Sequence, residues 1–194
     1  MKSTFSSLLF GFLIFIACLP VAEAHTFGAH GMGLGAGFAH PFSGLDHLLA
    51  MLAVGLWASQ LGGKATWLAP AVFVSVMAGS AFLGSLGVEL PMLEPAIASS
   101  VLVLGLLLAF AVRVSTLTSV CLVGLFAVFH GFAHGLELPQ TASPVLYGLG
   151  FVTATAVLHG IGIGMGWSGR RINLFLRLGG SMIALTGLYL LATA

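Results

Sequence analysis

Six runs of about twenty mostly apolar residues constrain this chain more than any other feature, because a helix of about that length crosses the hydrocarbon core of a bilayer. They fall near 44–61, 66–87, 94–112, 115–137, 144–166 and 173–193. The breaks between them carry turn chemistry: Gly62-Gly63, Pro91 with Pro95, Pro139 with Pro144, and Ser168-Gly169. Of 194 residues, 59% are hydrophobic and 6% charged, where a soluble domain carries roughly 25% charged residues. No water-soluble surface can be made from that. The expected fold class is all-α, a polytopic membrane protein in which six transmembrane helices form a single bundle. The 27 glycines fit that class, since glycine lets helix backbones approach closely in lipid.

The first residues read as a signal peptide rather than a seventh span. Lys2 supplies a positive start, Leu8 to Val21 an apolar stretch, and Ala22-Glu23-Ala24 an A-x-A cleavage site. Residues 1–24 are thus expected to be removed, leaving a domain over 25–194. Cys18 follows Phe15-Ile16-Ala17, a poor lipoprotein box, and leaves with the signal. Cys121 then stands alone in an apolar run, where a small buried hydrophobe is the default.

The cations give an orientation. Short loops holding Lys and Arg stay on the cytoplasmic side, and Lys64, Arg113, Arg170, Arg171 and Arg177 all fall at the same end of the six-span arrangement. Asp46, Glu89, Glu94 and Glu137 fall at the other. A multi-pass protein of a bacterial inner membrane, with both mature termini periplasmic, is expected. A net charge of +1 without clustered Lys and Arg excludes nucleic acid as a partner. The expected partners are the lipid bilayer and a transition-metal ion, and a homo-oligomer is left open.

Three segments concentrate the ionisable groups of the acidic end. A glycine-rich, flexible arm carries His25, His30 and His40. His25 and His30 could capture metal, or be an inert surface tract. From His40 the chain reads His40-Pro41-Phe42-Ser43-Gly44-Leu45-Asp46-His47-Leu48-Leu49-Ala50-Met51. Ser43 and Asp46 have capping-box spacing, so Asp46 could simply satisfy helix N–H groups. His47, one turn from Met51 on the same face, is a membrane-embedded imidazole beside a carboxylate and a functional candidate by default. The alternative is a structural interhelical hydrogen bond.

The fourth run ends Phe129-His130-Gly131-Phe132-Ala133-His134-Gly135-Leu136-Glu137. At about 100° per residue, His134 lies about 40° from His130 and Glu137 about 20° on its other side, so the three share one face. The i, i+4 histidine pair is the helical spacing that lets two rings hold one ion. Gly131 and Gly135 predict a second helix packed closely enough to complete the ligand set. His159 lies about 22 Å into the fifth run at 1.5 Å per residue. It reads either as a relay or as an interhelical hydrogen bond. The glycines at 160, 162, 164 and 166 fit open space for ions as readily as tight packing.

In these motifs the chain resembles the HupE/UreJ family of nickel and cobalt permeases. H-P-x-x-G-x-D-H-x-x-x-M is whole from His40 to Met51, and F-H-G-x-A-H-G-x-E is whole from Phe129 to Glu137. The resemblance runs over essentially the entire chain. It implies six spans and uptake of Ni²⁺ or Co²⁺, with His40, Asp46, His47, His130, His134 and Glu137 at the matching positions.

The function expected from residues and resemblance together is a secondary transporter importing a divalent transition metal through a path lined by His, Asp and Glu. No prosthetic group is expected. The chain has no G-x-x-x-x-G-K-[ST] loop with which to hydrolyse nucleotide. Met32 and Met51 keep a copper permease open, since thioethers prefer soft ions. An intramembrane zinc hydrolase using His130, His134 and Asp46 is a second class. A metal sensor or transporter subunit is a third.

Overall fold

The computed structural model describes residues 33–88, 90–139, 143–169 and 173–194. The expected signal peptide, His25, His30, Met32, Glu89, Arg170 and Arg171 lie outside the described residues. Among those, the chain forms seven helices and no strand: α1 (Leu34–Ser43), α2 (Leu45–Leu61), α3 (Ala65–Ser85), α4 (Leu93–Ala109), α5 (Thr116–Leu136), α6 (Pro144–Gly169) and α7 (Asn173–Thr193). The helices α2 to α7 match the six apolar runs to within a turn. Four of them, α3, α5, α6 and α7, are long and apolar enough to cross a membrane, and α1 with α2 passes the same test as a pair bent by 87°. The helix α4 is apolar but has 17 residues, about 25 Å at 1.5 Å per residue and short of a 30 Å hydrocarbon core.

Burial follows from the pattern of each helix. Every residue of α2 from His47 to Ser59 is buried, which makes this helix the centre of the bundle. It packs beside α6, α4 and α3, while α3 pairs with α5 and α4 with α7. Large apolar side chains such as Leu117, Val145, Leu185 and Phe82 stand exposed on the outer faces, a surface suited to hydrocarbon. Cys121 also lies exposed, against the expectation of a buried thiol. An outward face that meets lipid accepts a small apolar group without burying it.

Glycine sets the helix spacing. A methyl at Gly131 would strike the Met77 carbonyl and Ser80 Cβ, and one at Gly135 the Ala81 carbonyl, so α5 lies directly on α3. Gly55 and Gly162 do the same for α2 and α6, where a methyl on either would meet the other helix's backbone. The glycines after His159 divide by face: Gly162 and Gly166 close the α2–α6 contact, whereas Gly160 and Gly164 have nothing within 4 Å of a built Cβ. Tight packing, not open space, is the outcome on the inward face. Gly62 and Gly63 turn the chain between α2 and α3 at φ 76° and 55°, a left-handed conformation that a Cβ disfavours.

The arm expected to be flexible is helical from Leu34 onward. Gly37 and Gly150 let α1 lie across the first turns of α6, with the Tyr147 carbonyl against Gly37 and the Leu34 carbonyl against Gly150. The capping box is not formed. Gly44 occupies the cap position of α2 without a side-chain cap, and Ser43 Oγ instead donates back to the His40 carbonyl at 2.6 Å.

Among the described residues, carboxylates and Arg177 lie at opposite ends of the bundle. Asp46 and Glu94 line one small cavity with Leu190 and Thr193, at the end of the bundle where Glu137 also lies. At the other end Arg177 Nε donates to the Ala109 carbonyl at 3.0 Å, and Trp67 meets Trp167 edge to face at 6.0 Å.

Candidate metal centre

The two motifs meet at the end of the bundle that holds the carboxylates. The 87° bend between α1 and α2 folds His40 back over the start of α2, and the last turns of α5 pass alongside. His40 Nε2 lies 2.8 Å from Glu137 Oε2. The His134 ring centroid lies 4.9 Å from that of His40 and 4.6 Å from that of His47. His130 lies 5.1 Å from His47. Four imidazoles and a carboxylate therefore occupy one contiguous cluster, where the sequence suggested a series strung along a path. One ligand atom each from His40, His134 and Glu137 lie within 4.8 Å of one another. Glu137 is about half exposed and His40 about a quarter, while His130 and His134 are almost wholly buried. The cluster thus opens at Glu137 and closes inward.

Hydrogen bonds fix which ring nitrogens are free. His47 Nδ1 lies 2.9 Å from Asp46 Oδ1, His130 Nδ1 3.0 Å from the Phe126 carbonyl, and His159 Nδ1 2.7 Å from the Met51 carbonyl. Each partner can only accept, so each Nδ1 carries the proton and donates it. In a neutral ring the lone pair then sits on Nε2. Those three Nε2 atoms, and both nitrogens of His134, are buried without a hydrogen-bond partner. Such orphaned groups cost about 1–3 kcal/mol each. Holding a metal ligand by its other ring nitrogen is the usual way of orienting it.

The bland reading of Asp46 is half right. Its Oδ1 accepts the His47 backbone N–H at 2.7 Å as well as the ring proton. It therefore anchors the start of α2 and orients the imidazole together. Gly44 makes room for this: a Cβ there would stand 2.8 Å from Asp46 Oδ1.

Outside the helix end, the Glu137 carboxyl feels opposed influences. Burial pushes it up, but the hydrogen bond and charge of His40 outweigh that and hold it below the ordinary value.

Two expectations are corrected by the packing. The helix drawn in by Gly131 and Gly135 is α3, and against the cluster it places Phe73 rather than a ligand. The remaining imidazoles come from α1 and α2. His159 is also nearer the cluster than its distance along α6 suggests. The first turns of α6 are spent against α1, so His159 reaches Met51, one turn below His47. The Phe73 ring touches both sides, 5.6 Å from His130 and 5.1 Å from His159. Two contributors were missed in the sequence. Phe151 stacks on His134 at 4.8 Å and 8°, and Tyr147 packs 5.8 Å from His40. Both lie in an apolar run with no His, Asp or Glu within a turn to mark them.

Comparison with known proteins agrees with these motifs. The family model described as HupE / UreJ protein matches residues 13–190. Protein HupE of Rhizobium leguminosarum bv. viciae is 49% identical over 178 residues, covering 91% of this chain and 93% of the relative. No solved structure matches. The His40–Met51 and Phe129–Glu137 motifs, joined in space through His40 and Glu137, are thus carried by a chain that belongs to the HupE/UreJ family.

Proposed function

We propose that this protein is a secondary transporter that imports a divalent transition-metal ion, Ni²⁺ or Co²⁺, across a bacterial inner membrane. The observation that carries the reading is the common setting of His47, His130 and His159, each with Nδ1–H tied to an acceptor and a buried Nε2 without a partner. Mixed nitrogen and oxygen donors suit these ions. In this reading residues 1–24 are a signal peptide and 25–194 the transport domain. The helices α2 to α7 are its six spans, α2 and α4 being short ones of 17 residues. The carboxylate end faces the periplasm and Lys64, Arg113 and Arg177 the cytoplasm, following the positive-inside rule. His25 and His30 would precede the site as a capturing arm.

His40, His134 and Glu137 form the outer binding set, and His47 and His130 the inner part of the same cluster. An ion arriving at His40 and Glu137 displaces the proton between them. The surrounding imidazoles then replace its hydration shell in steps. The membrane potential supplies the inward drive, about 4.6 kcal/mol for a divalent ion at 100 mV. No resident cofactor takes part, and the chain acts as a permease rather than an enzyme.

The test is uptake into liposomes containing only this protein. With an inside-negative potential and no ATP, Ni²⁺ or Co²⁺ should accumulate, and His47→Ala should stop it. An ATP requirement, or metal-dependent turnover of lipid or peptide without flux, would sink the reading.

A further inference from the structure

Inward of the imidazole cluster, three helices bring a different set of donors together. Met51 of α2 and Met77 of α3 are fully buried, and Thr155 of α6 is buried between them. Thr155 Oγ1 donates to the Met51 sulfur at 3.3 Å and lies 3.9 Å from the Met77 sulfur. His159, one turn further along the same face of α6, donates Nδ1–H to the Met51 carbonyl and keeps its buried Nε2 without a partner.

Methionine as a flexible filler of core volume explains two sulfurs. It does not explain why a hydroxyl is spent on them. Thr153, Ser168, Ser181 and Thr186 each return their proton to the carbonyl four residues back, the usual recourse of a hydroxyl in a membrane helix. Thr155 turns inward instead. Nor does filler explain the unclaimed lone pair of His159 at 2% exposure. Two thioethers, a hydroxyl able to donate or accept, and an imidazole with its lone pair free make a neutral donor set.

We propose that Met51, Met77, Thr155 and His159 form a second, inner cation subsite with soft donors, taken up by a borderline transition-metal ion after it passes Phe73 and refused by hard cations. The inference rests on the transport reading above and deepens it. Thioether sulfur favours softer ions, whereas Mg²⁺ and Mn²⁺ favour oxygen. A hard ion that satisfied the carboxylate-bearing outer cluster would find no adequate ligands at the next step. The subsite carries no formal negative charge, so it holds a divalent ion less tightly than the outer cluster. That ordering favours onward release, which conduction requires. On arrival of an ion the Thr155 hydroxyl gives up its contact with sulfur and presents an oxygen lone pair.

The experiment uses the full chain in lipid nanodiscs, titrated with Ni²⁺ and followed by X-ray absorption at the nickel edge, with uptake measured in parallel in liposomes. The first equivalent is expected to show nitrogen and oxygen neighbours, and a second equivalent to add sulfur. The double variant Met51→Leu/Met77→Leu, close in volume, should keep the first equivalent and lose the second. Its Ni²⁺ uptake should fall about tenfold, and its ratio of Mn²⁺ to Ni²⁺ uptake should rise. A sulfur-free spectrum at saturation in protein that does transport Ni²⁺ overturns the subsite and leaves the transport reading standing. So does an unchanged ion preference in a double variant that still binds its first equivalent. Wild-type protein that neither binds nor moves any metal overturns both.

Discussion

His40 and Glu137, the first and last residues of the two motifs, stand 2.8 Å apart, Nε2 to Oε2. The contact closes the outer side of the imidazole cluster with a carboxylate and a ring that share one proton. A metal ion competes for both groups, so its binding has to release that proton.

Proton release is therefore the first expectation. Adding Ni²⁺ to weakly buffered protein should acidify the medium, and Glu137→Gln should reduce the signal while weakening binding. The Glu137 carboxyl is held below its ordinary value by His40. Its stabilising contribution is thus present above the unfolded carboxyl value and is lost as pH falls through the lower folded one. Protons compete with the metal for its donors, so mild acid should weaken metal binding before Glu137 is protonated and this end of the fold loosens. Titration calorimetry beside thermal melts at stepped pH separates the two, and simultaneous loss would contradict the assignment.

His134 separates function from stability. Both its nitrogens are buried and unpartnered, and its ring stacks on Phe151. Replacing a buried unsatisfied polar group by an apolar one of like shape is nearly neutral or stabilising. His134→Phe should leave the melting temperature unchanged or raised while reducing uptake by about tenfold or more. A large fall in melting temperature would show that the ring is held for structural reasons.

Asp46→Asn tests orientation against charge. The amide oxygen can still accept from the His47 ring, so the helix start should persist, but the ring loses the carboxylate that raises its basicity. Metal affinity should fall about 10- to 100-fold, with helix content by circular dichroism unchanged. An affinity within twofold of the wild type would reduce Asp46 to a helix-end residue.

Two glycines on successive helices should behave oppositely. Gly135→Ala drives a methyl into the Ala81 carbonyl and should cost about 1–3 kcal/mol through forced separation of α3 and α5. Gly160→Ala meets nothing within 4 Å and should be neutral, or stabilise by about 0.5–1 kcal/mol through helix preference. Unfolding in mixed detergent reads both, and equal effects would contradict the packing.

Much of the site was legible because it is written in helical periods. His130, His134 and Glu137 share a face by arithmetic alone, and Asp46 beside His47 needed no fold to suggest a pair. The apolar runs located α2 to α7, since run length and turn residues are local properties. The helix α1 was not legible. Its glycines read as flexibility, whereas Gly37 is there because the Tyr147 carbonyl leaves no room for a side chain. The same ambiguity hid the packing role of Gly162 and Gly166, and an exposed Cys121 could not be told from a buried one in an apolar stretch.

By itself, the sequence determined an apolar helical bundle, the ends at which its charges collect, and the residue types able to bind a transition metal. Tertiary structure alone decided that these residues form one cluster and not a ladder, because the bend at Gly44 returns His40 to Glu137. It also decided which ring nitrogens stay free, since that depends on acceptors supplied from elsewhere in the fold, as the Met51 carbonyl is for His159. Periodicity fixes the face on which a side chain stands, but only packing fixes what stands opposite.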